Sequence, residues 1–169
     1  MKDLLEKLTS YNIFNYLLPG VIFVVLAEAL TTFHFVQQDI ILGMFLYYFI
    51  GLVISRLGSL VIEPLLRLVR FIPFAPYPDF VKASEADEKL LVLSEANNMY
   101  RTFCALFTIL VLTKGYERLL HRFPQMQQWG IEVLVIALLI LFCLSYRKQC
   151  QYIVKRIDSQ IGKGENNHG

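Results

Sequence analysis

The sequence predicts an all-α, polytopic membrane protein with four transmembrane helices, cytoplasmic N- and C-termini, and amphipathic or cytoplasmic helices outside the bilayer. Three observations predict it. Apolar residues come in blocks about as long as a bilayer is thick. Lysine and arginine collect on one side of those blocks. The 169 residues are 56% hydrophobic and only 18% charged, where a soluble domain has about 45–50% and about 25%. The net charge of +2 gives no argument for direct nucleic-acid binding. The whole chain reads as a single membrane domain.

Residues 1–7 carry both signs and do not match a cleavable leader. Leu4, Leu5 and Leu8 share one helical face, which predicts a short interfacial helix before the first span. That span covers residues 13–36. Asn12, Asn15 and Pro19-Gly20 predict an irregular entry buried against protein. The second span covers 40–62, the third 100–120 and the fourth 129–146, with the last helix continuing past Arg147. Each must be helical, because hydrocarbon offers no partner for an open backbone.

The 64–99 connection opens with Pro64 in a first helical turn and an amphipathic stretch of Leu65, Leu66, Leu68, Val69 and Phe71 interleaved with Arg67 and Arg70. Pro73, Pro76 and Pro78 then interrupt regular structure. Ser84 and the acids after it predict a helix start near Glu85, running towards the third span. In the 147–169 tail, Cys150, Ile153, Val154, Ile157 and Ile161 form one apolar stripe. A stripe on a helix in water needs a cover. Sister tails around a symmetry axis and a soluble partner both fit.

Thirteen basic residues fall at the N-terminus, in the long connection and in the tail, and three at the third-to-fourth side. The positive-inside rule therefore places both termini and the connection in the cytoplasm. The two outer loops are short, which excludes a large external ligand domain.

Charged residues inside the apolar blocks are the candidate functional positions. Glu28 lies roughly 16 Å along the first span and Lys114 roughly 20 Å along the third, at 1.5 Å per residue. The two spans run in the same direction, and similar depth predicts a Glu28–Lys114 polar contact within or between subunits. A proton- or cation-handling site and a patch near a thinned outer leaflet are the alternatives for Glu28. Arg56 and Glu63 lie two turns apart at the inner end of the second span. They form a snorkelling anchor or a charged seam for a neighbouring helix. Gly51, Ser55 and Ser59 recur every four residues, with Gly58 adjacent, as a ridge for close helix packing. Three cysteines lack metal or disulfide spacing, and no nucleotide, hydrolase or metalloprotease motif occurs. No cofactor, metal or catalytic residue is expected, and the chain reads as a non-enzyme.

The stretches "LTSYNIFNYLLPGVIFVV", "LYYFIGLVISRLGSLVIEPLL" and "LSEANNMYRTF" resemble small bacterial four-span proteins found in mobile and defence-associated gene neighbourhoods, in particular the membrane subunit of Kiwa-type anti-phage systems. The resemblance covers most of residues 8–120. It implies a homo-oligomer of the bacterial inner membrane, with a tetramer as the candidate size. It also implies a soluble cytoplasmic effector held by that oligomer and a response to envelope disturbance during infection. No catalytic residue comes with it. The expected function is thus a membrane sensor and scaffold. The alternatives are a channel or membrane-disrupting effector lined by Glu28 and Lys114, and a small proton-coupled transporter using Glu28.

Overall fold

The computed structural model describes residues 12–73 and 75–166, with side chains placed as far as residue 159. Among the described residues every regular element is helical. The expected interfacial helix at Leu4, Leu5 and Leu8 lies outside them.

Among the described residues three helical stretches are long and apolar enough to cross a membrane: Ile13–Leu30, Ile40–Leu68 and Pro124–Ser159. The expected third span belongs to a helix with more charge. Its uncharged part runs only from Thr102 to Thr113, about 18 Å at 1.5 Å per residue. That is shorter than the roughly 30 Å of hydrocarbon in a bilayer.

The first stretch joins a π-helical turn, Ile13–Leu17, to helix α1, Leu18–Leu30. The second joins α2, Ile40–Leu57, through a π-helical turn, Gly58–Ile62, to α3, Glu63–Leu68. Each π turn stands immediately before the helical turn that carries a proline, Pro19 in one and Pro64 in the other. Proline cannot donate the i→i−4 bond and its ring crowds the carbonyl four residues back. Widening the preceding turn relieves that conflict without breaking the helix, as membrane helices require. Pro64 therefore continues the second stretch instead of opening a separate helix. The irregular entry expected around Asn15 is the first of these turns, with Asn15 buried in it.

Helix α1 stops at Leu30, six residues before the expected end of the first span. Local polar bonds outcompete the helix there. The Thr31 hydroxyl donates to the Ala27 carbonyl at 2.7 Å, and the Thr32 N–H donates to the Glu117 carboxylate at 2.7 Å. The Glu28 carboxylate accepts from the Phe35 N–H at 3.1 Å. Residues 31–39 thus form a loop. Asp39 ends it by accepting from the N–H groups of Ile41 and Leu42, capping α2.

The connection folds back as α4, Tyr77–Ala86, which Pro78 opens in its first turn. The helix start expected at Ser84 falls instead in the last turn of α4, where the Ser84 hydroxyl donates to the Val81 carbonyl. Asp87 takes over the start of the next helix, accepting from the Lys89 N–H at 2.9 Å. That helix, α5, runs unbroken over Lys89–Arg122. A 3₁₀ turn, Pro124–Trp129, leads into α6, Gly130–Asn166, which is continuous through the expected fourth span into the tail.

The core joins the first, second and fifth helices. Phe23, Val24 and Ala27 of α1 meet Ile54 of α2 and Ala105, Leu106 and Leu110 of α5. Closest approach occurs where Gly20 faces Gly51. A Cβ on Gly20 would collide with the Tyr47 carbonyl oxygen, and one on Gly51 with that of Tyr16. Helix α6 stands apart from this core: Leu141 is its one buried apolar side chain among the described residues. It leans on α2, where Phe142 stacks on Phe49, and on α4, where Tyr152 meets Tyr77.

Candidate functional site

Two polar clusters tie the helices together, one at each end of the α1–α2–α5 core. At the end formed by the 31–39 loop and the last turns of α5, two carboxylates hold backbone. Glu28 accepts from the His34 ring at 2.8 Å and from Phe35 N–H. Glu117, 5% exposed, accepts from Thr32 N–H and pairs with Lys114 one turn away. The expected Glu28–Lys114 contact is not formed. Each group instead takes a partner within six residues along the chain. Closing a short loop costs less entropy than joining two helices. The first span is also not a straight rod as far as Val36: the chain turns at Thr31 and brings His34 and Phe35 back to Glu28.

At the opposite end lies the larger cluster. Glu63 is 6% exposed. Its carboxylate accepts from Arg67 at 2.6 Å and from Arg101 of α5 at 2.7 Å. The expected Arg56–Glu63 seam therefore has other members. One turn of helix puts Arg67 beside Glu63, while Arg56 lies two turns away on the far side of the π turn, which rotates it out of line. Arg56 faces a small cavity of about 20 Å³ with Ser145, Lys148 and Tyr152 of α6. Lys148 donates to both the carbonyl oxygen and the hydroxyl of Ser59, at 2.6 and 2.7 Å, and its ammonium lies 5.8 Å from the Tyr152 ring centroid. Lys148 thus pins α6 to the π turn, whose open carbonyl it satisfies.

The small-residue ridge packs within the chain, and each member has a different neighbour. Gly51 lets α2 touch the π turn of the first stretch. Ser55 accepts a buried hydrogen bond from Thr102 of α5 at 3.3 Å. Gly58 faces Arg101 and Ala105 of α5, and Ser59 receives Lys148 of α6. The tail stripe is open: Ile153, Val154 and Ile157 are 52, 55 and 51% exposed. Cys150 is a half-buried free thiol, and the Ile161 side chain lies outside the described residues.

Sequence reasoning missed Arg101, Lys148, Glu117 and Gly20. In the sequence Arg101 and Lys148 count only among the basic residues that set orientation, and Gly20 only within an irregular entry. Arg101, Lys148 and Glu117 bond partners 38, 89 and 85 residues away, a separation at which spacing carries no signal. The Glu63–Arg67 spacing of four was a usable one.

The arrangement braces the helices against one another. Among the described residues no three His, Cys, Asp or Glu side chains gather as metal ligands. By helix length and composition the chain falls among helical membrane proteins. No family model matches it, nor does any curated protein or solved structure.

Proposed function

We propose that the chain is a non-enzymatic, oligomeric membrane scaffold of the bacterial inner membrane. It crosses the bilayer four times, with α5 as the third crossing and both termini in the cytoplasm. Its role is to pass envelope disturbance to a soluble cytoplasmic effector in anti-phage defence. The defence setting rests on the resemblance to the membrane subunit of Kiwa-type systems. The N-in, C-in orientation rests on the thirteen basic residues of one side.

One observation carries the scaffold reading. Helix α6 has 37 residues without a break, about 55 Å at 1.5 Å per residue, while the hydrocarbon takes up about 30 Å. The remainder is a rigid rod in water, and it bears the exposed Ile153, Val154 and Ile157. Lys148 and Tyr152 anchor its base to the second span and to α4. A shift in span packing is therefore transmitted along a continuous helix to an apolar docking stripe. No observation favours the channel or transporter readings, since Glu28, on which both rest, is engaged by His34 and Phe35, and Lys114, which the channel reading also needs, by Glu117.

Affinity capture of the full chain from native membranes tests this. The native chain should bring down one soluble protein in fixed ratio, and Ile153→Asp with Ile157→Asp should lose it while staying in the membrane fraction. Equal recovery by the variant, or no soluble partner at all, would contradict the reading.

A further inference from the structure

A groove of about 640 Å³ runs between the second helical stretch and α6, within the roughly 300–1,000 Å³ of small-ligand pockets. Leu60 and Val61 line one side and Ile140 and Leu144 the other, with Arg147 and Lys148 at the polar end. Val61, Ile140 and Leu144 remain 44, 54 and 45% exposed, so the groove is open and unfilled by the chain's own side chains.

Charge at its polar end is unbalanced. Lys148 feels the charges of Arg101, Arg67 and Arg56 together with that of Glu63. Glu63 is already shared between Arg67 and Arg101. Arg56 and Arg147 have no ion-pair partner among the described residues. An ammonium has three donors, and Lys148 spends two on Ser59. Clustered cations at the edge of hydrocarbon call for an anion. A second α6 laid along the groove in the same direction would add its own Arg147 and Lys148 and worsen the imbalance.

We propose that the groove binds an acidic phospholipid of the inner leaflet. Its phosphate sits against Arg147 and Lys148, and one acyl chain lies along Leu60, Val61, Ile140 and Leu144. The proposal rests on the membrane reading above and adds a ligand to it. A lipid wedged between the second span and the base of α6 would make the rod responsive to inner-leaflet composition.

The test is native mass spectrometry of the full chain, extracted from membranes in mild detergent with equimolar phosphatidylglycerol and phosphatidylcholine of matched chain length. Retention should favour phosphatidylglycerol about thirty-fold, from roughly five-fold per cation. Arg147→Gln, which breaks no hydrogen bond or ion pair among the described residues, should lower the preference about five-fold. Lys155→Gln with Arg156→Gln should leave it unchanged. Leu144→Trp, which narrows the acyl path at one point and keeps the cations, should weaken lipid retention. Equal retention of both lipids by the native chain, or an unchanged preference in Arg147→Gln, would overturn the proposal. So would a change in subunit number with Leu144→Trp, which would show the groove to be an interface between copies. A chain found in the soluble fraction would overturn the proposal and the membrane reading together, whereas a membrane-extracted chain lacking lipid preference would overturn the lipid site alone.

Discussion

Glu63 shows how one residue organises an end of the molecule. A carboxylate at 6% exposure beside Arg67 and Arg101 is tolerated only because both its oxygens are bonded. Removing its charge strands Arg101, whose side chain is itself only 20% exposed. Glu63→Gln is expected to cost about 3 kcal/mol, read as a large drop in melting temperature in detergent. Arg67→Gln removes a partner that is 42% exposed and should cost less than about 1 kcal/mol. Equal losses for the two would contradict this ranking. The cluster was half legible in advance. Glu63 stood out as a charge at the inner boundary, but its longer-range partner Arg101 lies on another helix, and nothing in local spacing points there.

At the scale of elements, close approach and loop pinning make separate predictions. The first two helical stretches meet backbone to backbone at Gly20 and Gly51, so no rotamer change can relieve an added methyl group. Gly51→Ala should therefore abolish recovery of folded protein by size-exclusion chromatography. Gly115 has open space around it, and Gly115→Ala should stabilise α5 by about 1 kcal/mol. The 31–39 loop is held by Glu28 and Glu117. Glu117→Gln should raise hydrogen exchange at Thr32 while leaving the α1 core protected. Protection unchanged at Thr32 would mean that other contacts hold the loop. Helix identity was readable from apolar run length, and α6 ran past Arg147 as its tail stripe implied. The end of the first span was not readable, because Phe33, Phe35 and Val36 are as apolar as a span and only distant carboxylates reveal the loop.

For the molecule as a whole, the α1–α2–α5 core is knit by buried contacts while α6 leans on it through Lys148, Phe142 and Tyr152. Such a joint separates a stable core from a rod able to pivot at its base. Lys148→Met should loosen that joint, measured as increased distance spread between spin labels on α2 and the tail, with the core's melting temperature lowered by only a few degrees. An unchanged spread would assign the joint to the aromatic contacts instead. The number of crossings is where sequence and structure diverge most. Arg101 and Lys114 bracket a short apolar stretch in α5, which puts it below the length that composition alone accepts for a span, although it packs between two stretches that pass.

The most direct test of four crossings with an inward tail is a set of reporter fusions in the intact chain. A periplasm-dependent phosphatase and a cytoplasm-dependent fluorescent protein would be joined in turn after residues 75, 126 and 166. The account predicts fluorescence at 75 and 166 and phosphatase activity at 126. Phosphatase activity at 75, or the same reporter active at both 75 and 126, would contradict it.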